Sequence, residues 1–247
     1  MTYFRSILFA ASCMAHLCCV SLSAQETAAA KPDEKADTTV KTRTMRAAPG
    51  TPTIDGEIDE IWSTSRKAKT DRYVESESET PADEAAVAEF RCLWDAKHLY
   101  VLAVVKDGAL SASGEEDWQQ DSVEIFIDQN MARATSYDDD DGQYRVNCEG
   151  NITYGQVPKE AMKATAKKTK TGYVVEAAIE LTAITAEKGG KIGFDVQVND
   201  DSDSSGTRGA IMKWNDDTNE SWQDVSRLGT LVFGAAKKAK VKTEEDN

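Results

Sequence analysis

The feature that most restricts this chain is a long succession of short β-type runs, each ended by Gly- or Asp-rich turn signals. AAVAEFRCLW, HLYVLAVVKD, DSVEIFID, QYRVNCEG, ITYGQV, MKATAKK, GYVVEAAIEL, KIGFDVQVND, RGAIMKW and LGTLVF all have strand patterning. Turn sequences such as DDDDG and TKTG lie between them. Only DEIWSTSRKA and LTAI offer brief helical turns. The pattern predicts an all-β fold, an antiparallel, jelly-roll-like β-sandwich with minor short helices.

Alternation assigns the faces. In DSVEIFID, Val123, Ile125 and Ile127 point one way, and Ser122, Glu124, Phe126 and Asp128 the other. In QYRVNC, Tyr144, Val146 and Cys148 oppose Gln143, Arg145 and Asn147. Each strand therefore has one side for a core and one side carrying hydrogen-bonding groups toward a groove or solvent.

The ends read differently. Residues 1–24 combine Arg5, an apolar run and small residues ending near Ala24, the layout of an export signal cleaved near that point. A lipid anchor at Cys13 is the rival reading, and the segment is too short and interrupted for a membrane span. Residues 25–47 are expected as a disordered linker and 235–247 as a disordered charged tail. The intervening domain, 48–234, is large enough for a full core. A secreted or periplasmic protein is expected, and a monomer. The net charge of −14 repels nucleic acid and is indifferent to neutral ligands. Cys92 and Cys148, the cysteines left after signal removal, sit in apolar strand patterns. Buried free thiols and a disulfide both stay open, because sequence does not give their separation.

Five tryptophans divide into two groups. Trp62, Trp94 and Trp214 follow apolar or strand patterns and are expected in the core. Trp118 (GEEDWQQD) and Trp222 (TNESWQDV) lie in polar, turn-like surroundings, where a large apolar ring calls for a ligand. Two indoles can cover both faces of a β-linked pyranose, whose axial C–H groups meet the negative π surface. Its equatorial hydroxyls then meet a carboxylate and a forked guanidinium. Glu124 and Arg145 supply those groups, with a surface salt bridge as the plainer alternative.

The stretches TPTIDGEIDEIW, LWDAKHLYVLAVVKD, DWQQDSVEIFID, YDDDDGQYRVN, GYVVEAAIE, IGFDVQVND and WNDDTNESWQD run in the order found in family 9 carbohydrate-binding modules, the type appended to bacterial xylanases. The domain resembles that family over nearly its whole length. The resemblance implies a non-catalytic β-sandwich that recognises β-linked glucan or xylan oligosaccharides, notably at chain ends, in support of polysaccharide breakdown. It implies a clamp of Trp118 and Trp222, with polar contacts from Glu124, Arg145, Asn147 and Asn219. It also implies structural calcium and no catalytic cofactor. Asp55, Glu57, Asp59 and Glu60 in IDGEIDEIW are one candidate cluster for such a hard cation, with Asp55 and Asp59 the expected ligands; a Gly turn leading into a helix capped by Asp59 is the alternative. The run Asp138 to Asp141 is another acidic cluster, of a kind usually found as a solvated loop.

Two activities compete with this reading. A glycoside hydrolase acting on the same polysaccharides needs two carboxyls about 5 to 9.5 Å apart. Glu124 and Asp128 share a face but lie roughly 13 Å apart at strand rise, leaving any partner to another strand. Haem ligation would need His98, Met131 or Met212, none with an evident partnering role.

Overall fold

The computed structural model describes residues 41–74, 80–155 and 161–235. The expected signal, most of the expected linker and nearly all of the charged tail lie outside the described residues. Thirteen strands form in the described chain: β1 (Thr44–Pro49), β2 (Ala68–Lys69), β3 (Arg72–Val74), β4 (Val87–Trp94), β5 (His98–Lys106), β6 (Ser122–Asp128), β7 (Asp141–Asn147), β8 (Ile152–Tyr154), β9 (Met162–Thr169), β10 (Gly172–Glu180), β11 (Lys191–Asp200), β12 (Ala210–Lys213) and β13 (Gly229–Phe233). Two short 3-10 turns, Glu60–Thr64 and Asp117–Gln119, are the helical elements. The LTAI segment, expected as a helical turn, forms bends instead. It follows β10 directly and tracks the sheet edge through Leu181 N–H to Lys97 O.

One sheet has the order β8-β7-β6-β11-β13-β1, with β12 along the C-terminal half of β11 and β3 outside β12. The other runs β1-β4-β5-β10-β9, with β2 on β4. β1 joins both. Thr44 to Ala47 pair in parallel with β13, and Ala48 and Pro49 pair in parallel with β4. All other strand pairings are antiparallel. The strand starts inside the stretch expected as linker, because TMRAAP has few β-type side chains and owes its extended form to its two neighbours rather than to propensity.

The core lies between the sheets. Val123, Ile125 and Ile127 of β6 and their neighbours Phe194 and Val196 of β11 share one buried cluster with Val101 of β5 and Tyr173 and Val175 of β10. Trp214 stands edge-on to Phe90, with ring centroids 6.0 Å apart, and lies 5.9 Å from Phe194. Each such large side chain contributes about 1.5–3 kcal/mol on burial. A second apolar cluster covers the outer face of the β4-β5-β10 sheet, where Trp62 packs with Leu93, Tyr100, Leu102 and Val174. Its indole N–H donates to Glu176 Oε1 at 2.9 Å. Cys92 and Cys148 are both buried free thiols.

Candidate functional site

β6 and β7 are buried along their whole lengths, although, Phe126 aside, the outer-facing side chains of both strands are polar. Something covers the outer face of their sheet as well as the inner one. Antiparallel register sets a straight row of side chains across that outer face: Thr153, Arg145, Glu124, Gln197 and Lys213, one from each of β8, β7, β6, β11 and β12.

Glu124 is the centre of this row and is 1% exposed. Its Oε1 accepts from Arg145 Nε at 2.8 Å and Asn199 Nδ2 at 2.7 Å, and its Oε2 accepts from Gln143 Nε2 at 2.7 Å. Burial pushes the carboxyl up, but the Arg145 guanidinium and these three donors outweigh it and hold the group below the usual glutamate range. Glu124 and Arg145 therefore do pair across neighbouring strands, yet as a buried pair rather than a surface one. Arg145 also donates Nη1 to Thr153 Oγ1. Gln143 lies so close to Gly155 that a Cβ there would come within 1.9 Å of Gln143 Oε1, so a side chain at that turn would displace the Gln143 amide from Glu124.

One wall of this face carries Trp118, in the 3-10 turn before β6. The guanidinium of Arg208 lies 4.8 Å from the Trp118 ring centre, and its Nη1 donates to Asn199 Oδ1. Asn199 closes the link by donating to both Ser122 and Glu124. The loop after β12 folds over the same face at Phe126. It presents Asn219, which is exposed, and Trp222, which is 47% exposed, one of two large apolar side chains in that state among the described residues. Beneath it, Phe126 packs with Tyr137, Val225 and Leu228. Lys213 Nζ lies 5.2 Å from the Phe126 ring centre. Tyr137 donates its hydroxyl to Ser221 O at 2.6 Å, next to Trp222.

Asn147 is committed to its own turn. Its Oδ1 accepts the N–H groups of Glu149 and Asn151, and its Nδ2 donates to Gln120. The NCEGN sequence is itself a turn signal, and the turn takes most of the amide's capacity. Gln143, Asn199 and Arg208 were not singled out as site residues from sequence. The alternation of QYRVNC and KIGFDVQVND signals the first two; Arg208 lies in a loop that only the fold brings to Trp118.

Asp55 and Asp59, the acidic pair expected to bind calcium, each accept a backbone N–H. Asp55 Oδ1 accepts the Glu57 N–H, and Asp59 Oδ2 reaches back to the Thr53 N–H without capping the 3-10 turn. Neither is among the carboxylate groups close enough to share an ion among the described residues. Those are Asp107, Asp121 and Asp200, and Asp128 of β6 with Asp140 and Asp141 of the DDDD run, with ligand atoms within 4.8 Å of one another in each group. In the first group Asp107 Oδ2 is buried with no hydrogen-bond partner. Burial first, then the charge of Asp107, pushes Asp121 up to about 8. Burial likewise pushes Asp107 up to about 6, with the charges of Asp200 and Asp201 adding to it. An orphaned buried oxygen among mutually repelling carboxylates suits a hard divalent cation.

A half-exposed indole beside a buried, charge-assisted polar floor is the make-up of a carbohydrate-binding module. Residues 54–235 match the profile of the family described as "Carbohydrate family 9 binding domain-like", and the chain belongs to that family. It is 45% identical over 183 residues to Endo-1,4-beta-xylanase A of Thermotoga maritima, a match covering 74% of this chain and 17% of that relative. It is 42% identical over 185 residues to Exoglucanase XynX of Acetivibrio thermocellus, covering 74% of this chain and 16% of the relative. The chain thus spans about a sixth of the length of the curated relatives it matches, and within them it corresponds to a binding module. Among solved structures it resembles a family 9 module from Caldicellulosiruptor kristjanssonii in complex with glucose, with a TM-score of 0.72 and 35% identity, covering 80% of this chain and 98% of that one. A second structure of a family 9 module from that organism, in complex with cellotriose, gives 0.72 and 34%, covering 83% and 100%. No helix among the described residues is long and apolar enough to cross a membrane.

Proposed function

We propose that this protein is exported and binds β-linked glucan or xylan oligosaccharides at chain ends, as a monomer without catalytic activity, in support of enzymes that degrade the polysaccharide. Trp118 and Trp222 take the two faces of the terminal sugar. Arg145, Asn219 and Glu124 meet its hydroxyls, and Asn147 contributes the one amide proton its turn leaves over. The observation that carries the reading is the buried row through Glu124 and Arg145, flanked by one stacked and one half-exposed indole. The glucose and cellotriose complexes of the Caldicellulosiruptor modules support the ligand class.

Glu124 suits a binding role better than an acid–base one. Its two oxygens already accept three hydrogen bonds and the carboxyl is held ionised. Asp128, on the same face, accepts the N–H groups of Ala132 and Arg133. Both carboxyls are engaged by donors within the fold, whereas the hydrolase reading requires one free to protonate a scissile bond. His98 is bound to Asp95 and packed on Tyr100, and Met212 lies in the core, which speaks against haem ligation.

A disaccharide of about 23 heavy atoms at about 0.3 kcal/mol per atom gives roughly −7 kcal/mol, a Kd on the order of 10 μM. Calorimetric titration with cellobiose, xylobiose and their reduced alditols tests the proposal. Binding of the sugars with loss of the alditols is expected. Trp222→Ala is expected to weaken binding about thirtyfold or more at nearly parental stability, because the ring is half exposed. Parental affinity in that variant would sink the clamp. A structural calcium ion belongs, on this reading, at Asp107, Asp121 and Asp200 rather than at Asp55 and Asp59. There it would neutralise the like charges around the turn that leads into β6.

A further inference from the structure

We propose that Lys213 is a positioning residue of the sugar face: its buried ammonium sets the loop bearing Asn219 and Trp222, and so sets affinity without touching the ligand. The inference rests on the carbohydrate-binding reading above and adds to it a residue that lies beneath the face.

Lysine is rarely buried without a charge partner, and here the residue is 0% exposed. Its three N–H donors have three acceptors: Asp216 Oδ2 at 3.1 Å, Thr218 O at 3.2 Å and Ser221 Oγ at 2.5 Å. All three acceptors belong to the loop that presents Asn219 and Trp222. Asp216 is as fully engaged. It accepts from Ser221 Oγ at 2.8 Å, from Thr218 Oγ1 and from Arg227 Nε at 2.8 Å. Burial pushes Asp216 up, but the Lys213 charge and these donors hold it below the usual aspartate range. Asp195 of β11 completes the base of the loop by accepting the N–H groups of Asn215 and Asp216.

Packing alone does not call for this arrangement. A well-packed apolar pair is often as stable as a buried ion pair, or more so, because both charges must be desolvated. What the ammonium adds is direction, since three acceptors at fixed places allow one path for residues 216–221. The path ends at Ser221, whose carbonyl is also held by Tyr137, and the next residue is Trp222. Lys213 also stands in the same cross-strand row as Gln197 and Glu124, so the loop is referenced to the strand register that places the polar floor. A ring half exposed at a loop tip is thereby held in place before any sugar arrives, which lowers the ordering cost of binding.

The test uses Lys213→Met and the milder Ser221→Ala, which keeps the ion pair and removes the hydroxyl bridge. Cellotriose affinity is measured by calorimetry, alone and in a Trp222→Ala background. In parallel, 19F NMR of protein carrying 5-fluorotryptophan follows the Trp222 resonance, assigned by its loss in Trp222→Phe. We expect Lys213→Met to weaken binding at least about tenfold and Ser221→Ala about threefold. Each change should be less than about twofold once Trp222 is gone, as coupled residues behave. The fluorine signal, single in the parent without sugar, should broaden or split in both variants. Parental affinity and a single sharp signal in folded Lys213→Met would overturn the proposal, as would the same penalty with and without Trp222. If Lys213→Met does not fold, Ser221→Ala decides on the same two criteria. If the parent binds no sugar, the carbohydrate reading fails, and the fluorine signal still decides whether Lys213 sets the loop.

Discussion

The two loops bordering the candidate face, one bearing Trp118 and one bearing Trp222, are built on opposite electrostatic plans. The Trp222 wall is tied by compensated charge: Lys213 and Arg227 both meet Asp216, and Arg133 crosses from the loop between β6 and β7 to the carbonyls of Leu228 and Gly229. The Trp118 wall is tied by carboxylates. Asp121 accepts the N–H groups of Ser111 and Asp201, and Asp201 in turn accepts those of Ser205 and Gly206. Around that hub stand Asp107 and Asp200, their carboxylate oxygens close to those of Asp121. A loop closed by opposite charges is completed by the chain itself. One closed by like charges is completed only by protons or by a counterion from solution.

The sharpest way to break this contrast is to remove one member from each wall. Lys213→Met is expected to cost about 3–5 kcal/mol by denaturant unfolding, since it strips a partner from a buried pair. Asp107→Asn in calcium-free buffer is expected to be neutral or stabilising, because it deletes a like charge beside Asp121. Equal losses in the two would erase the distinction.

A smaller effect sharpens it. Calcium at about a hundred times its dissociation constant should stabilise the parent by about 2.7 kcal/mol, a rise of about 5–10 °C in Tm for a domain of this size. Asp107→Asn should lose most of that rise and Lys213→Met should keep it. A parent whose Tm ignores both calcium and chelator would remove the counterion from the Trp118 wall.

The smallest expected effect is a null one. Glu124 has a folded pKa below its unfolded value, so its contribution is fully present above the ordinary glutamate range and is lost only as pH falls through the depressed value. With calcium saturating, sugar affinity should change less than about twofold between about pH 5 and pH 8. A steep loss of affinity at the acid end of that range would show that Glu124 is not held ionised.

Much of the floor was legible in the sequence, and much of the walls was not. Alternation in DSVEIFID and QYRVNC put Glu124 and Arg145 on one face, and strand pairing then had to make them neighbours. The polar settings of Trp118 and Trp222 marked them as apart from Trp62 and Trp214, which are buried, while Trp94, also expected in the core, packs on its edge half-buried, as Trp118 is. Lys213 was hidden because it sits in the strand pattern AIMKW, where its fate depends on a loop that folds back over it. Asn147 was ambiguous for a physical reason, since the same amide suits a sugar hydroxyl and a backbone turn. Asp107 and Asp121 bracket the β5–β6 connection and Asp200 ends β11, and no local pattern announces their meeting. IDGEIDEIW displays its acids in one turn and spends Asp55 and Asp59 on that turn's own N–H groups.

β1 has a consequence of another kind. It runs parallel to β13 with Thr44 beside Thr230 and Ala47 beside Phe233, so the chain enters at one end of this pair and leaves at the other. Tension between residues 41 and 235 would draw the two strands past each other lengthwise. Their rungs would then bear the load together, whereas those of an unzipping hairpin break in succession. A domain built this way resists being pulled apart from its two ends.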